Sequence, residues 1–542
     1  MMPEKAKRNI LSLTNLLLVA IMCIALFIRF YKLGDNPVGL FRDEASTGYD
    51  AYSMLKTGRD QYGTFLPLFS RSFGDYNESL YRFLVIPSVL CFGLTEFAVR
   101  FPAAVIGLLT VLIFYFLSRI WLGGGIALVP AFLLAVSPWH ILYSRVGFRA
   151  ILFPFLFCLG LYFFFKGLKK GKFLVYSALS FSFSLYSYSS ARVFVPVFLV
   201  VLILIFFRDL KPFRRQSIIA GIILLFVLAA LGSYWISSPG MARAREALQS
   251  NPAQWVTNYL SYFSPDYLFF NKNPGLKFYV LGIGQLYVVE IFTIIAGLIG
   301  IFITLLKKKD KTGKKYLLIL TAGLLLYPIP AALTQSDHAL RAIIGCIFFP
   351  LVSGYGLRWI LDLVKKKSYK IFITAALVFT IAAGFFNYQK KFFHVYPHYS
   401  WYYWDYGWRQ AITLTQKKDY PNIFVSNHFF LPHSFILFYT KYPPEKYQKI
   451  AIKNLSLKNL KISDFSLPPY HIVPLEKLNA ANYGNSLIIT HPRQKKIIET
   501  RMTLKEVGAV KTPDGKHVLM ILLEITDTAK NEGSFDFYPH IE

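Results

Sequence analysis

From Leu11 to Phe386 the chain alternates between long apolar runs and short polar or basic breaks. Many of the runs approach the roughly 20 residues that an α-helix needs to cross a bilayer. One soluble core cannot absorb so many. After a first run that reaches Tyr31, spans are expected near 172–188, 192–207, 216–236, 278–306, 315–333, 341–362 and 370–387. The 278–306 run is long enough for about 43 Å of helix, so it is expected to tilt or to begin above the membrane. The pattern changes after residue 388. His394 to Trp408 is dense in aromatic residues and suits an interfacial belt. Asn422 to Ser426, His471 to Pro474 and Ser486 to Thr490 then read as short strands. Residues 505–511 and 516–524 flank Pro513-Asp514-Gly515, a hairpin signal. The expected fold is mostly α: a polytopic membrane module over 1–387, with a small α/β domain over 388–542.

Composition supports the membrane reading. Hydrophobic residues make up 55% of the 542 positions and charged residues 16%, whereas a soluble chain carries about 25% charged residues. The net charge of +30 would ordinarily raise the question of nucleic acid. Here the basic residues sit in clusters between apolar runs, and no Cys/His finger or basic reader helix is present, so nucleic acid is excluded as a partner. The clusters orient the chain instead. Lys166, Lys169, Lys170 and Lys172 form one; Arg208, Lys211, Arg214 and Arg215 form another. Lys307 to Lys315 and Lys365 to Lys370 complete the set, and all four belong on the cytoplasmic side. The loop 34–79, the region 237–277, the loop Thr334 to His338 and everything after Tyr388 are then outside.

Between the outer loops 34–79 and 137–149 lie three apolar stretches, 80–97, 101–120 and 124–138, of which only an even number can cross. The first contains Arg82, Pro87 and Gly93 and is taken as interfacial or re-entrant. Eleven spans result, with a cytoplasmic N-terminus and an outer C-terminus, in the plasma membrane. The basic start, Lys5 to Arg8, precedes a run without a small-residue cleavage site and reads as an uncleaved first span. Cys23, Cys91, Cys158 and Cys346 all lie in apolar segments without disulfide or zinc spacing and read as buried free thiols.

Candidate chemistry gathers in the first outer loop. Arg42, Asp43 and Glu44 follow a Gly/Pro turn and precede a helix expected over Ala45 to Lys56. Acidic groups suit a helix start, where amide hydrogens point outward. Asp43 there is an ordinary N-cap, a general base for a hydroxyl, or a metal ligand, and the local pattern fits all three.

An Asp-Glu pair soon after the first span resembles the acidic motif of the GT-C glycosyltransferases. Among these, the protein O-mannosyltransferase family and the bacterial lipid A aminoarabinose transferase group are the most similar. Further pieces match in order: Phe92-Gly93 through Glu96 to Pro102, Ser137-Pro138-Trp139-His140 with Ser144-Arg145, and Asp337-His338-Ala339-Leu340-Arg341. The resemblance covers nearly the whole chain. It implies a sugar donor on a polyprenyl phosphate, an active site at the outer membrane boundary, and inversion at the anomeric carbon. The acceptor is a lipid, a glycan or a protein. Asp43 would be the base, and Glu44 would orient the loop, bind sugar or help to hold a metal. A divalent metal is compatible with this reading but not required by it, and no other cofactor is implied.

One departure stands out. Related enzymes carry Lys-Pro-Pro-Leu where this chain has Asn77-Glu78-Ser79-Leu80, so a phosphate-binding lysine is missing. Arg71, Arg82, Arg145 and Arg149 are the candidate replacements, since guanidinium forks fit phosphate. Arg149 also stands where relatives often place an acid, and Asp75 or Glu78 could supply that carboxylate. Arg42, Asp337, His338 and Arg341 are further candidates for substrate binding; an Asp337–Arg341 loop pairing is the plainer alternative. Tyr186, Tyr188 and Arg192 could line a sugar site. Arg100 is as well suited to a bond with Glu96 or a backbone carbonyl as to substrate, and His140 reads first as a hydrogen-bonded interfacial histidine.

Two rival functions share the membrane architecture. A lipid-linked oligosaccharide flippase or other transporter would favour ionisable or broken-helix sites near the midplane, often in repeated halves. No repeat is visible here, and the acids lie in outer loops. A glycan polymerase or ligase would lack the Asp-Glu pair after the first span.

Overall fold

The computed structural model describes residues 4–73, 75–237, 251–271, 279–307, 311–451, 464–478 and 483–527. Parts of the expected outer region 237–277 and of the lysine cluster 307–315 fall outside them. The chain forms two compact units. The first comprises residues up to Gly34, Glu78–Leu84 and Val99–Tyr396; the second comprises Asp35–Asn77, Val85–Ala98 and Pro397 onward. The first outer loop, grouped by its sequence with the membrane module, thus packs with the C-terminal segment.

The first unit is helical, and its apolar content makes the chain a multi-pass membrane protein. Seven helical stretches among the described residues are long and apolar enough to cross a bilayer, and one of these, Ser189–Tyr234, contains two helices. Three shorter apolar helices join them, Gly125–Val136, Phe173–Leu185 and Glu290–Leu306; a fourth, Leu80–Phe92, belongs to this unit only as far as Leu84. Polar residues cut the expected runs at definite points. The run 124–138 ends at Val136 because Ser137 and Pro138 begin a new short helix, with the Ser137 hydroxyl accepting the His140 N–H at 3.4 Å. The link between the spans expected near 172–188 and 192–207 comes earlier than those bounds: Ser189 already belongs to the helix Ser189–Leu210, and the link is Tyr186 to Tyr188.

The single long helix expected over 278–306 is not formed. The helix is Glu290–Leu306, 17 residues, and 279–289 is irregular. Two features explain the break. Gly282 takes a left-handed φ of +69°, and the backbone at Gly284 runs so close to Leu268 that a Cβ would lie 2.4 Å from its carbonyl oxygen. The Glu290 carboxylate then accepts the Tyr287 N–H at 3.0 Å and starts the helix afresh.

Packing inside the unit relies on glycines and aromatic rings. A Cβ on Gly356 would stand 1.8 Å from the Thr293 carbonyl oxygen, so Gly345–Leu363 crosses Glu290–Leu306 backbone to backbone. Close approach of this kind is how small residues hold membrane helices together. Phe157, Phe194, Phe198 and Phe348 are all buried; Phe194 stacks on Phe198, and the other pairs meet edge-on or tilted, with centroids as near as 5.0 Å for Phe157 and Phe198. Much of the aromatic content therefore fills the interior as well as facing lipid. The cysteines are all free; Cys158 and Cys346 are buried as expected, whereas Cys23 and Cys91 sit exposed on apolar helices.

The second unit contains a six-stranded sheet in the order β4 (Phe465–Leu467), β5 (Tyr470–Val473), β3 (Ile423–Ser426), β6 (Leu487–Thr490), β8 (Val518–Asp527), β7 (Thr503–Lys511), where β1 (Phe69–Ser72) and β2 (Asp75–Glu78) form a separate hairpin. β3 runs parallel to β5 and β6; β8 is antiparallel to β6 and β7. β3 and β6 are buried throughout, which is why each reads as a continuous apolar run. The turn between β7 and β8 falls at Pro513-Asp514-Gly515. Neither β4 nor the β1–β2 hairpin carries a legible strand pattern.

Candidate active site

In the second unit, the acidic loop is built on the helix Arg42–Thr57, which starts three residues earlier than expected. Its N-cap position is occupied by Phe41, whose side chain cannot accept a hydrogen bond. Glu44 takes over: its carboxylate reaches back to the Phe41 N–H at 3.1 Å and is fully buried. Arg42 is committed as well. Its Nε and Nη2 donate to the two carboxylate oxygens of Asp405 at 3.0 and 2.8 Å, and its backbone N–H donates to the same acid at 3.1 Å. The guanidinium also lies 4.3 Å from the centroid of Phe430. Asp405, in the aromatic stretch, is a partner that the local pattern did not reveal.

Asp43 is what remains. It sits in the first turn of that helix, exposed, with no side-chain partner among the described residues. The first-turn amides favour its ionised form. The N-cap alternative for Asp43 is thereby replaced: the capping carboxylate is Glu44. The loop entering this turn passes through Gly39, with φ +77°, where a Cβ would lie 2.5 Å from the Trp404 carbonyl oxygen. Arg71 stacks over Tyr62, 5.6 Å from its centroid. Asp75 begins β2, and its side chain lies outside the described residues.

The first unit gathers a different set. Glu78 is buried and bridges two arginines: Arg149 Nε donates to it at 2.5 Å, and Arg192 donates to its other carboxylate oxygen. Arg82, also buried, directs Nη1 at the Glu78 carbonyl at 3.4 Å. Arg149 further lies over the ring of Tyr188 at 5.7 Å. Two guanidinium groups thus hold the Glu78 carboxylate, and a third sits on its backbone carbonyl. Burial pushes the Glu78 carboxyl up, but Arg192 and Arg149 outweigh it and hold the group below the usual range. Arg149, read as a vacancy for an acid, therefore receives one from Glu78, and Arg192 joins the cluster. Tyr186 next to it is a phenol that burial pushes up to about 12, so it is neutral at physiological pH.

The remaining candidates divide by what they already hold. Arg145 is buried and donates to the carbonyls of Ile28, Tyr31 and Lys32 at 2.5, 2.8 and 3.2 Å, closing the C-terminal end of the first helix. Arg100 donates to the Leu33 carbonyl at 3.3 Å, as its backbone-carbonyl reading required. His140 is buried and accepts from Arg29 at 2.7 Å rather than lying at an interface. The loop carrying Asp337 is pinned by Trp139, whose indole N–H donates to the Ala339 carbonyl at 3.0 Å, and by Tyr262, whose hydroxyl accepts the His338 N–H at 3.0 Å. The expected Asp337–Arg341 pairing is not formed. Asp337, at φ +53°, is half-buried, and burial moves its carboxyl upward while a bond to Ser261 pulls it back. The Arg341 backbone N–H donates to His338, while its guanidinium has no hydrogen-bond or ion-pair partner among the described residues. Also among the described residues, no three His, Cys, Asp or Glu side chains converge as metal ligands.

The pattern of the dolichyl-phosphate-mannose-protein mannosyltransferase family matches residues 80–235. The structure of ArnT from Cupriavidus metallidurans bound to undecaprenyl phosphate superposes with a TM-score of 0.56 at 11% identity, covering 95% of this chain and 99% of that one. The chain has the GT-C fold. The apo state of the same ArnT agrees, with a TM-score of 0.55 at 12% identity over 93% of this chain and 97% of that one. None of the curated proteins compared with the chain matches it. Within the GT-C frame, the family match begins at Leu80 and so excludes the acidic loop, whose assignment rests on its own geometry.

Proposed function

We propose that this chain is an inverting glycosyltransferase that takes a sugar from a polyprenyl-phosphate donor and attaches it to a hydroxyl of a lipid, glycan or protein on the outer face of the membrane. The observation that carries the reading is the division of labour at the start of the helix Arg42–Thr57. Glu44 caps the helix and Arg42 is neutralised by Asp405, so Asp43 alone presents a free carboxylate. A carboxylate so placed suits a general base. It accepts the acceptor's hydroxyl proton as that oxygen attacks the anomeric carbon; the bond from carbon to phosphate oxygen breaks, and the lipid phosphate leaves with the electron pair. The leaving phosphate demands cationic donors, and the guanidinium forks of Arg82, Arg149 and Arg192 are of the kind suited to receive one. Arg145, occupied by carbonyls, is not. That an ArnT of the same fold has been solved with undecaprenyl phosphate supports this class of carrier.

The decisive experiment presents purified protein with a panel of polyprenyl-phosphate sugars and measures release of the lipid phosphate. Release with at least one donor is expected; none with any donor would favour a transporter.

Orientation is tested separately. In a variant with Cys23 and Cys91 replaced by alanine, a cysteine at the exposed Thr64 is expected to react with an impermeant thiol reagent in intact cells, and one at the exposed Lys170 is not. The reverse pattern would put the acidic loop on the cytoplasmic side.

A further inference from the structure

The helix Phe173–Leu185 packs along Arg214–Ser237, while Ser189–Leu210 enters that helix through the single turn Lys211–Phe213. Antiparallel helices joined by so short a link ordinarily pack side by side. Here they diverge, and a cavity of about 720 Å³ lies among the three helices and Phe164. Small residues make its floor: Ser177 and Ala178 on one helix, Ala220 and Gly221 on another. A Cβ on Gly221 would meet nothing within 4 Å. At the edges Ile203, Phe207 and Ile218 are exposed, so the cavity opens sideways onto apolar surface.

One end differs from the rest. Lys211 and Arg214 line it, both exposed; neither side chain has a hydrogen-bond or ion-pair partner among the described residues, and the Lys211 ammonium lies over the Phe207 ring at 5.7 Å. The volume falls within the roughly 300–1,000 Å³ of small-molecule pockets. Away from the Ser177 and Ser217 hydroxyls, which already donate to the carbonyls of Gly160 and Phe213, the walls are apolar and offer water few partners. In a bilayer the available filler is an acyl chain, and two unpaired cations at the end of the chain's path select the headgroup. A zwitterionic head brings its own cation and gains little there; a head with net negative charge gains a partner for both side chains.

We propose that this cavity binds an anionic diacyl phospholipid, with its headgroup phosphate on Lys211 and Arg214 and an acyl chain lying over Gly221. The site is separate from the groups assigned to sugar transfer and stands whether or not that assignment holds.

The test uses the full-length protein in nanodiscs of equal phosphatidylglycerol and phosphatidylcholine, released gently and weighed by native mass spectrometry. Wild type is expected to retain phosphatidylglycerol over phosphatidylcholine by about tenfold, a difference of about 1.4 kcal/mol. Lys211→Gln with Arg214→Gln should keep a bound lipid but lose the preference. Gly221→Leu should retain neither lipid, while its thermal unfolding in detergent stays near wild type because the new side chain enters open space. Equal retention of both lipids by wild type, or an unchanged preference in the charge variant, would overturn the proposal. So would retention of added undecaprenyl phosphate in place of any phospholipid.

Discussion

Asp43→Asn is expected to lower release of lipid phosphate by about two to four orders of magnitude, the range over which a positioned general base accelerates proton transfer. The substitution keeps the size of the side chain and removes only its basicity. Because Asp43 is exposed and has no partner among the described residues, the variant should unfold at the wild-type temperature. Because phosphate recognition is assigned elsewhere, the KM for donor should stay close to the wild-type value while kcat falls. Glu44→Gln is the informative contrast. Its amide oxygen can still accept the Phe41 N–H, so activity should survive to a large extent, whereas Glu44→Ala should lose stability by about 1 kcal/mol through the missing cap. If Asp43→Asn turned over like wild type, the base would have to be sought elsewhere. If Glu44→Gln were the dead variant, the two roles would be reversed.

The largest expected effect on stability is at Glu78. Removing the carboxylate takes from Arg149 and Arg192 the acid they share, and breaking a buried ion pair in this way costs about 3–5 kcal/mol. The lower end is appropriate, since Arg149 is partly exposed to solvent. Glu78→Gln should therefore unfold at a clearly lower temperature than wild type, and a second change, Arg149→Gln, should return part of the loss. The pH dependence has a definite sign. The folded carboxyl is held below its ordinary value of 4.5 by Arg192 and Arg149 against the opposing effect of burial. A group depressed on folding stabilises the protein above its unfolded pKa, and that stabilisation fades as pH falls through the folded value. Wild type should therefore lose stability on acidification below about 4.5, and Glu78→Gln should lack that component. Parallel acid sensitivity in the two proteins would remove Glu78 from the account.

What could be read in the chain follows from the range of each interaction. Apolar runs report span positions because bilayer thickness is a local, additive requirement. Buried strands β3 and β6 announce themselves as apolar runs, and the β7–β8 turn shows in its Pro-Asp-Gly sequence, for the same reason. Breaks that depend on a neighbour do not show. Gly284 interrupts the 278–306 run by packing on Leu268, and nothing in its own surroundings in sequence says so. Site chemistry was legible by residue type but not by partner. Arg42, Asp43 and Glu44 could be singled out, yet their separate roles depend on Asp405, 363 residues from Arg42. Glu78 reads from sequence as a stand-in acid and Arg192 as a sugar-site residue, although they form one ion pair across 114 positions. The aromatic residues around Asp405 drew attention as a membrane belt and masked the acid among them.

The joint packing of residues 35–77 with 397 onward has a bearing on how such a chain can be cut or recombined. Tyr49 donates to the Tyr442 carbonyl at 2.9 Å, Gln448 reaches Thr57 at 2.9 Å, and Arg42 is held by Asp405. The helix that presents Asp43 thus borrows its footing from the far end of the polypeptide. Deleting the tail to obtain a minimal core would disarm the acid without touching it. A hybrid that exchanged acceptor preference with a distant cousin would have to transplant both pieces together, as a single graft in space made of two cuts in the gene.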